Sequence, residues 1–135
     1  MNISTDSVRR LFEKYANLEI GLADMRDGLG SSWSFERSSS HYSLGLTPVI
    51  EPPILIGPNQ LKHALEVLVA GRIDAAALQD WANLLVLCDA YQIGRPSNSD
   101  EREMLLTLLH AIATPEVHGP LTVQRIENFR DLLEK

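Results

Sequence analysis

Apolar residues recur along this chain in two rhythms. Near its start Val8, Leu11, Phe12, Tyr15 and Leu18 fall at three- and four-residue steps, which stripes one face of a helix. Ser4, Thr5 or Asp6 can cap that helix, and Gly21, then Asp27-Gly28 and Gly30, break the pattern. The rhythm returns at Pro58, whose missing N–H suits a first helical turn. Leu61, Ala64, Leu65 and Leu68 form its stripe, Lys62, His63 and Glu66 lie opposite, and Gly71 stops it. A third helix opens at Asp74, a cap flanked by Ile73 and Leu78 at the spacing of a hydrophobic staple. It runs through Trp81, Leu84, Leu85 and Cys88, with Gly94 and Pro96 closing the segment. Its polar side is narrow, chiefly Gln79, Asp80 and Asn83, which predicts the central helix of the core. Asn98 and Glu101 have capping-box spacing ahead of a fourth helix that turns Leu105, Leu108, Leu109 and Ile112 inward as far as Pro115. Thr122, with Leu121 and Ile126 as its staple, opens a fifth that carries Phe129 and Leu133.

Residues 28 to 58 follow the other rhythm. They hold seven serines and four prolines. Trp33 and Phe35 alternate with Ser32, Ser34 and Glu36, and Tyr42, Leu44 and Leu46 alternate in the same way. A period of two fits a short hairpin turning at Ser38 to Ser40; the rival reading is a long loop, disordered in part. Pro48, Pro52 and Pro53 then impose an extended course through Ile54, Leu55 and Ile56. The expected fold is mainly α, about five short helices in a bundle-like array, with an irregular or β-hairpin segment near residues 31–57. Short Pro- and Gly-bearing turns make the second and third helices, and the fourth and fifth, antiparallel neighbours. A length of 135 residues predicts one domain, residues 1–135, with 28–58 as an insertion or hairpin.

Composition narrows the function classes more than it selects one. Apolar residues make up 44% and charged residues 22%, an ordinary globular balance. No apolar run reaches the ~20 residues of a membrane helix, and MNISTDSVRRLFEKY has no apolar signal core. A cytoplasmic protein without membrane association is the expectation. The single cysteine, Cys88, allows neither an intrachain disulfide nor a cysteine metal cluster. Net charge is −6, with 7 acids against 5 bases over residues 1 to 57 and 11 against 7 over residues 58 to 135. Both halves repel phosphate on average, which disfavours nucleic acid as a partner. A DNA-binding regulator would need Arg9, Arg10 and Arg26 on one face of a helix pair. A basic protein surface suits the balance better.

The search for chemistry finds little. GxGxxG, GxxxxGK[ST], GxSxG and HExxH are all absent. His41, His63, His110 and His118 include no pair four apart. His110 and His118 could meet across Pro115 with Glu116 nearby, although a helix-end histidine and a solvated loop histidine are the simpler reading. Cys88 lies on the apolar side of the most hydrophobic helix, where a free thiol acts as a small core residue. Asp100 and Glu103 could serve as acid and base, yet helix starts collect acids for dipole reasons. The expectation is a non-enzymatic protein with no catalytic residues, cofactor or metal.

Two groups remain as candidate partner-binding residues. Trp33, Phe35 and Tyr42 are aromatic residues of the kind that dominate binding hot spots, unless the hairpin folds down and buries them. Asp100, Glu101 and Glu103, with Glu116, could meet a basic partner or simply form a solvated helix face.

The run Gly71-Arg72-Ile73-Asp74-Ala75-Ala76-Ala77-Leu78-Gln79-Asp80-Trp81-Ala82-Asn83 resembles a pattern in small bacterial helical proteins, some of them placed among toxin-immunity proteins. There a helix ends at glycine and a capped helix carrying Trp-Ala follows. Thr114-Pro115-Glu116 and the closing helix, Leu121 to Leu133, are similar too. The likeness spans residues 58–135 and carries no catalytic residues. Its motif, a cap, a staple and an inward tryptophan, carries fold information and little function; small size, acidity, capped helices and absent chemistry suggest a protein-interaction protein, in its sharpest form an immunity protein that binds and neutralises a basic toxin. The alternative is a small enzyme or ligand-binding domain with a cleft beside residues 31–57, in which His41 or His63 would sit next to a carboxylate.

Overall fold

Among the described residues the chain forms four short strands and six helices, and side-chain or backbone caps close several of the helices. The computed structural model describes residues 5–29, 35–38, 41–44, 50, 52–88, 90–114 and 122–134. Helix α1 (Thr5–Ala16) buries Val8, Phe12, Tyr15 and Ala16. It ends in a Schellman turn: the N–H of Glu19 donates to Lys14 O at 2.8 Å and that of Leu18 to Tyr15 O at 2.9 Å. Helix α2 (Leu22–Leu29) follows and buries Met25. Asp24 Oδ2 accepts from the N–H of Gly21 at 3.2 Å, which anchors its first turn. The break expected at Gly21 is present, between Ala16 and Leu22, whereas the one expected at Gly28 is not; Gly30 lies outside the described residues. Gly28 lies inside α2, with the Leu11 side chain packed so close that a Cβ would sit 2.6 Å from Leu11 Cδ1.

Strands β1 (Phe35–Ser38) and β2 (His41–Leu44) pair antiparallel, Phe35 opposite Leu44 and Ser38 opposite His41. Among the described residues the two strands of the expected hairpin are paired, while Trp33, Leu46 and the turn residues Ser39 and Ser40 lie outside them. Strand β3 (Ile54–Ile56) buries Ile54 and Ile56 and exposes Leu55.

Helix α3 (Pro58–Val69) starts at Gly57, whose N–H donates to Gln60 Oε1 at 2.8 Å. It buries Leu61, Ala64, Leu65 and Val67, leaving Leu68 half-buried. A second Schellman turn closes it at Gly71, φ +75°. Helix α4 (Ala75–Leu87) has the expected cap, Asp74 Oδ1 accepting from the N–H of Ala77 at 2.8 Å. It is the centre of the fold: Leu78, Trp81, Ala82, Leu84 and Leu85 are buried, and α1, α3 and α5 all pack on it.

The chain then leaves the helix at Cys88, which is buried, and enters strand β4 (Tyr91–Ile93). No hydrophobic period announces β4, so the sequence reading passes over it. It runs parallel to β3, Ile54 opposite Tyr91 and Ile56 opposite Ile93, with α3 and α4 as the crossover a parallel pair requires. Helix α5 (Ser99–Ala113) buries Leu105, Leu108, Leu109 and Ile112 as expected, and Ala111 and Ala113 besides. Helix α6 (Val123–Leu133) is capped by Thr122 Oγ1, accepting from the N–H of Arg125 at 3.2 Å, and lies along α3.

The polar strip of α4 does structural duty. Gln79 Nε2 and Asn83 Nδ2 both donate to Ala113 O, at 3.1 and 3.2 Å, satisfying a carbonyl at the open end of α5. Tyr91 Oη donates to Phe12 O at 2.7 Å, with the Phe12 and Tyr91 rings edge to face at 5.8 Å. Burial, then the neighbouring Cys88 and Tyr15, hold the Tyr91 hydroxyl well above the ordinary tyrosine range.

Candidate functional site

The two Schellman turns are the same device with different residues at the left-handed position. Gly71 adopts that backbone freely; Leu18, at φ +57°, does so at a cost of about 1–2 kcal/mol. Trp81 holds the Leu18 turn in place, its indole N–H donating to Ala16 O at 3.1 Å in the core. The carbonyl of Ala16, the last residue of α1, is thus satisfied from α4, and the chain between α1 and α2 is held beside α4.

That arrangement opens a cleft of about 390 Å³. Leu18, Ile20 and Leu22 form one side and Ile73 and Ala77 the other, with Tyr15 at the base. Glu19, Asp24 and Asp80 bring three carboxylates to the same lining, and among the described residues no basic one lines it. Glu19 and Asp24 are exposed and Asp80 is half-buried. Low-dielectric walls bearing one sign of charge focus a field that draws in cations. Chemically the cleft can solvate a positive charge and cover apolar surface; its described lining residues include no thiol or imidazole.

The candidate residues read from sequence fall elsewhere. Trp33 and Glu116 lie outside the described residues. Phe35 and Tyr42 occupy β1 and β2, Tyr42 opposite Arg37. Asp100, Glu101 and Glu103 share the first turns of α5, where Asn98 Oδ1 caps the N–H of Glu101 at 3.1 Å. Asp100 and Glu103 face solvent. Glu101 turns back on Arg95 instead, accepting from its backbone N–H at 3.1 Å and its Nε at 3.2 Å. Those bonds lower its carboxyl below the ordinary glutamate range. The capping-box spacing of Asn98 and Glu101 is therefore half used, and Glu101 serves an internal ion pair rather than an open acidic face.

Compared with known protein families, curated proteins and solved structures, the chain matches none. Its own geometry has to carry the functional reading.

A second cleft, of about 340 Å³, adjoins the end of the 28–58 segment between Leu55, Gly57, Asn59, Gln60, Arg95 and Glu101. Among its described lining residues there is no histidine. His63 and His110 are exposed on α3 and α5, and His118 lies outside the described residues. Among the described residues no three His, Cys, Asp or Glu side chains are grouped to hold a metal ion, the carboxylates of the first cleft included. Arg9 is engaged within the chain, paired with Glu13 at 2.9 Å and donating to Pro52 O. No helix among the described residues is long and apolar enough to cross a membrane.

Sequence reasoning missed the first cleft because its two walls are 50 residues apart in the chain. The signal available was the alternation of Leu18, Ile20 and Leu22 with Glu19 and Gly21, just past a helix end.

Proposed function

We propose that this chain is a non-enzymatic protein-interaction protein, in its sharpest form a cytoplasmic bacterial immunity protein that binds and neutralises a basic toxin. One observation carries the reading: the cleft between the α1–α2 turn and α4 combines half-buried apolar residues with three carboxylates and, among the described residues, no basic one. Such a surface attracts a positively charged partner at long range and still offers apolar area to cover on contact. The net charge of −6 works in the same direction, adding to the steering field.

The test is capture from the source cell with the full chain as bait, at low and high salt, followed by co-expression. A basic protein should co-purify at low salt and release in part at high salt, and expressed alone it should arrest growth that this chain restores. Absence of any stable protein partner at either salt, together with no toxin gene beside its own, refutes the proposal.

A further inference from the structure

Resting on that reading, we infer that the cleft takes the side chain of an arginine or lysine set beside an apolar residue, presented by a segment of the partner protein. Leu18, Ile20 and Ile73 are half-buried against the core, so each keeps apolar surface that an occupant would remove from water. Glu19, Asp24 and Asp80 stand around that floor. Only an amphipathic cation uses both parts of such a lining. A long basic side chain lays its aliphatic stem on apolar surface and keeps its charged head at the rim. A wholly apolar segment would strip water from carboxylates and give nothing back, and an acidic one would meet like charge. Among the described residues no three carboxylates are grouped to hold a metal ion, so separate contacts to a spread-out head group and its neighbours fit them better than a bare metal ion. The cleft's volume of about 390 Å³ lies near the lower end for ligand pockets, which suits a few side chains.

The probe is a blocked leucine-arginine-leucine tripeptide, titrated into the isotope-labelled full chain while the backbone amides of Leu18, Gly21, Ile73 and Ala77 are followed by NMR. Leucine-glutamate-leucine and leucine-leucine-leucine peptides serve as comparisons. The arginine peptide should shift those four amides saturably, and more tightly than either comparison by roughly fivefold, since each exposed charge pair contributes a modest factor. Raising salt from about 50 to about 500 mM should weaken it several-fold. Glu19→Gln combined with Asp80→Asn should weaken it by roughly fivefold. Ala77→Arg changes an exposed residue, leaves every carboxylate in place, and should abolish the shifts by tethering a cation in the cleft. Amides remote from the cleft report whether either variant remains folded.

Equal response to all three peptides, shifts confined to other surfaces, or no shifts at all overturn the assignment. So do concentration-dependent shifts of these amides without peptide, because a second copy of the chain would then be the occupant. Capture with the Ala77→Arg bait separates this inference from the broader one. A protein held as tightly by that variant as by the parent chain sinks the cleft assignment and leaves the interaction reading standing. Arginine-peptide binding at the cleft, with no protein captured by the parent chain, does the reverse.

Discussion

Gly94 offers the sharpest test of how β4 and α5 are fitted together. It sits just past β4 at φ +71°, and a Cβ there would lie 2.8 Å from Arg102 Cα and 3.1 Å from Arg102 N. Two penalties follow for Gly94→Ala. The left-handed backbone costs an L-residue about 1–2 kcal/mol. The approach to backbone atoms cannot be relieved by turning a side chain, so α5 has to back away from β4 at an overpacking cost of about 1–3 kcal/mol. Gly71 supplies the comparison: its φ is +75°, yet nothing lies within 4 Å of the added Cβ. Gly71→Ala carries the first penalty alone. The expected losses are about 1–2 kcal/mol for Gly71→Ala and about 2–5 kcal/mol for Gly94→Ala. At about 4 °C per kcal/mol for a chain of this size, that means falls in Tm of about 4–8 °C and about 8–20 °C. Urea unfolding with a shared slope, checked by calorimetry, measures both. Equal losses for the two variants would show that the contact between Gly94 and α5 is not tight and would refute the reasoning.

Three further outcomes are expected. Tyr91→Phe removes a buried hydrogen bond to Phe12 O and should cost about 0.5–1.5 kcal/mol near neutral pH. Because the folded state raises the Tyr91 pKa, this tyrosine's contribution is whole below the ordinary value of 10.0 and is lost as pH rises toward the folded value. Alkaline stability curves should therefore be flatter for Tyr91→Phe than for the parent chain, and parallel curves would contradict the burial argument. Asp74→Ala deletes the α4 cap and should lower stability by about 1 kcal/mol in urea unfolding, whereas Asp74→Ser should recover most of it. The Glu101 carboxyl should titrate below the ordinary glutamate range by NMR, so that its share of stability is present above that range and lost as pH falls through its own lowered value. Arg95→Met should return it toward the ordinary range.

The helix ends were the most legible part of this protein. Asp74, Asn98 and Thr122 each carry a side-chain oxygen that reaches a backbone N–H only three residues on. Such contacts need no tertiary partner, so short-range spacing announces them. The stripes of α1, α3 and α5 were readable for the same reason, since a period near 3.6 marks one buried face. Helix α2 escaped because its glycines argue locally against a helix, and it is Leu11 on α1 that fills the space beside Gly28. Strand β4 escaped because three residues hold no measurable period, and its only reason to be extended is the parallel partner β3. Glu101 looked like an open acid because its spacing from Asn98 was visible and its bond to Arg95 was not.

Sequence alone determined where the helices other than α2 begin, which of their faces turn inward, and that the chain carries an acidic balance without a recognisable catalytic motif. Tertiary structure decided what the remaining polar groups do. It turned Gln79 and Asn83 into caps for α5, gave Trp81 the carbonyl of Ala16, and drew Leu18, Glu19 and Asp24 up to Ile73 and Asp80 to make a cleft. The division has one physical cause. Caps and periodicities are written within a few residues of one another, whereas a cleft and the carbonyls that need partners across it exist only once distant segments have packed.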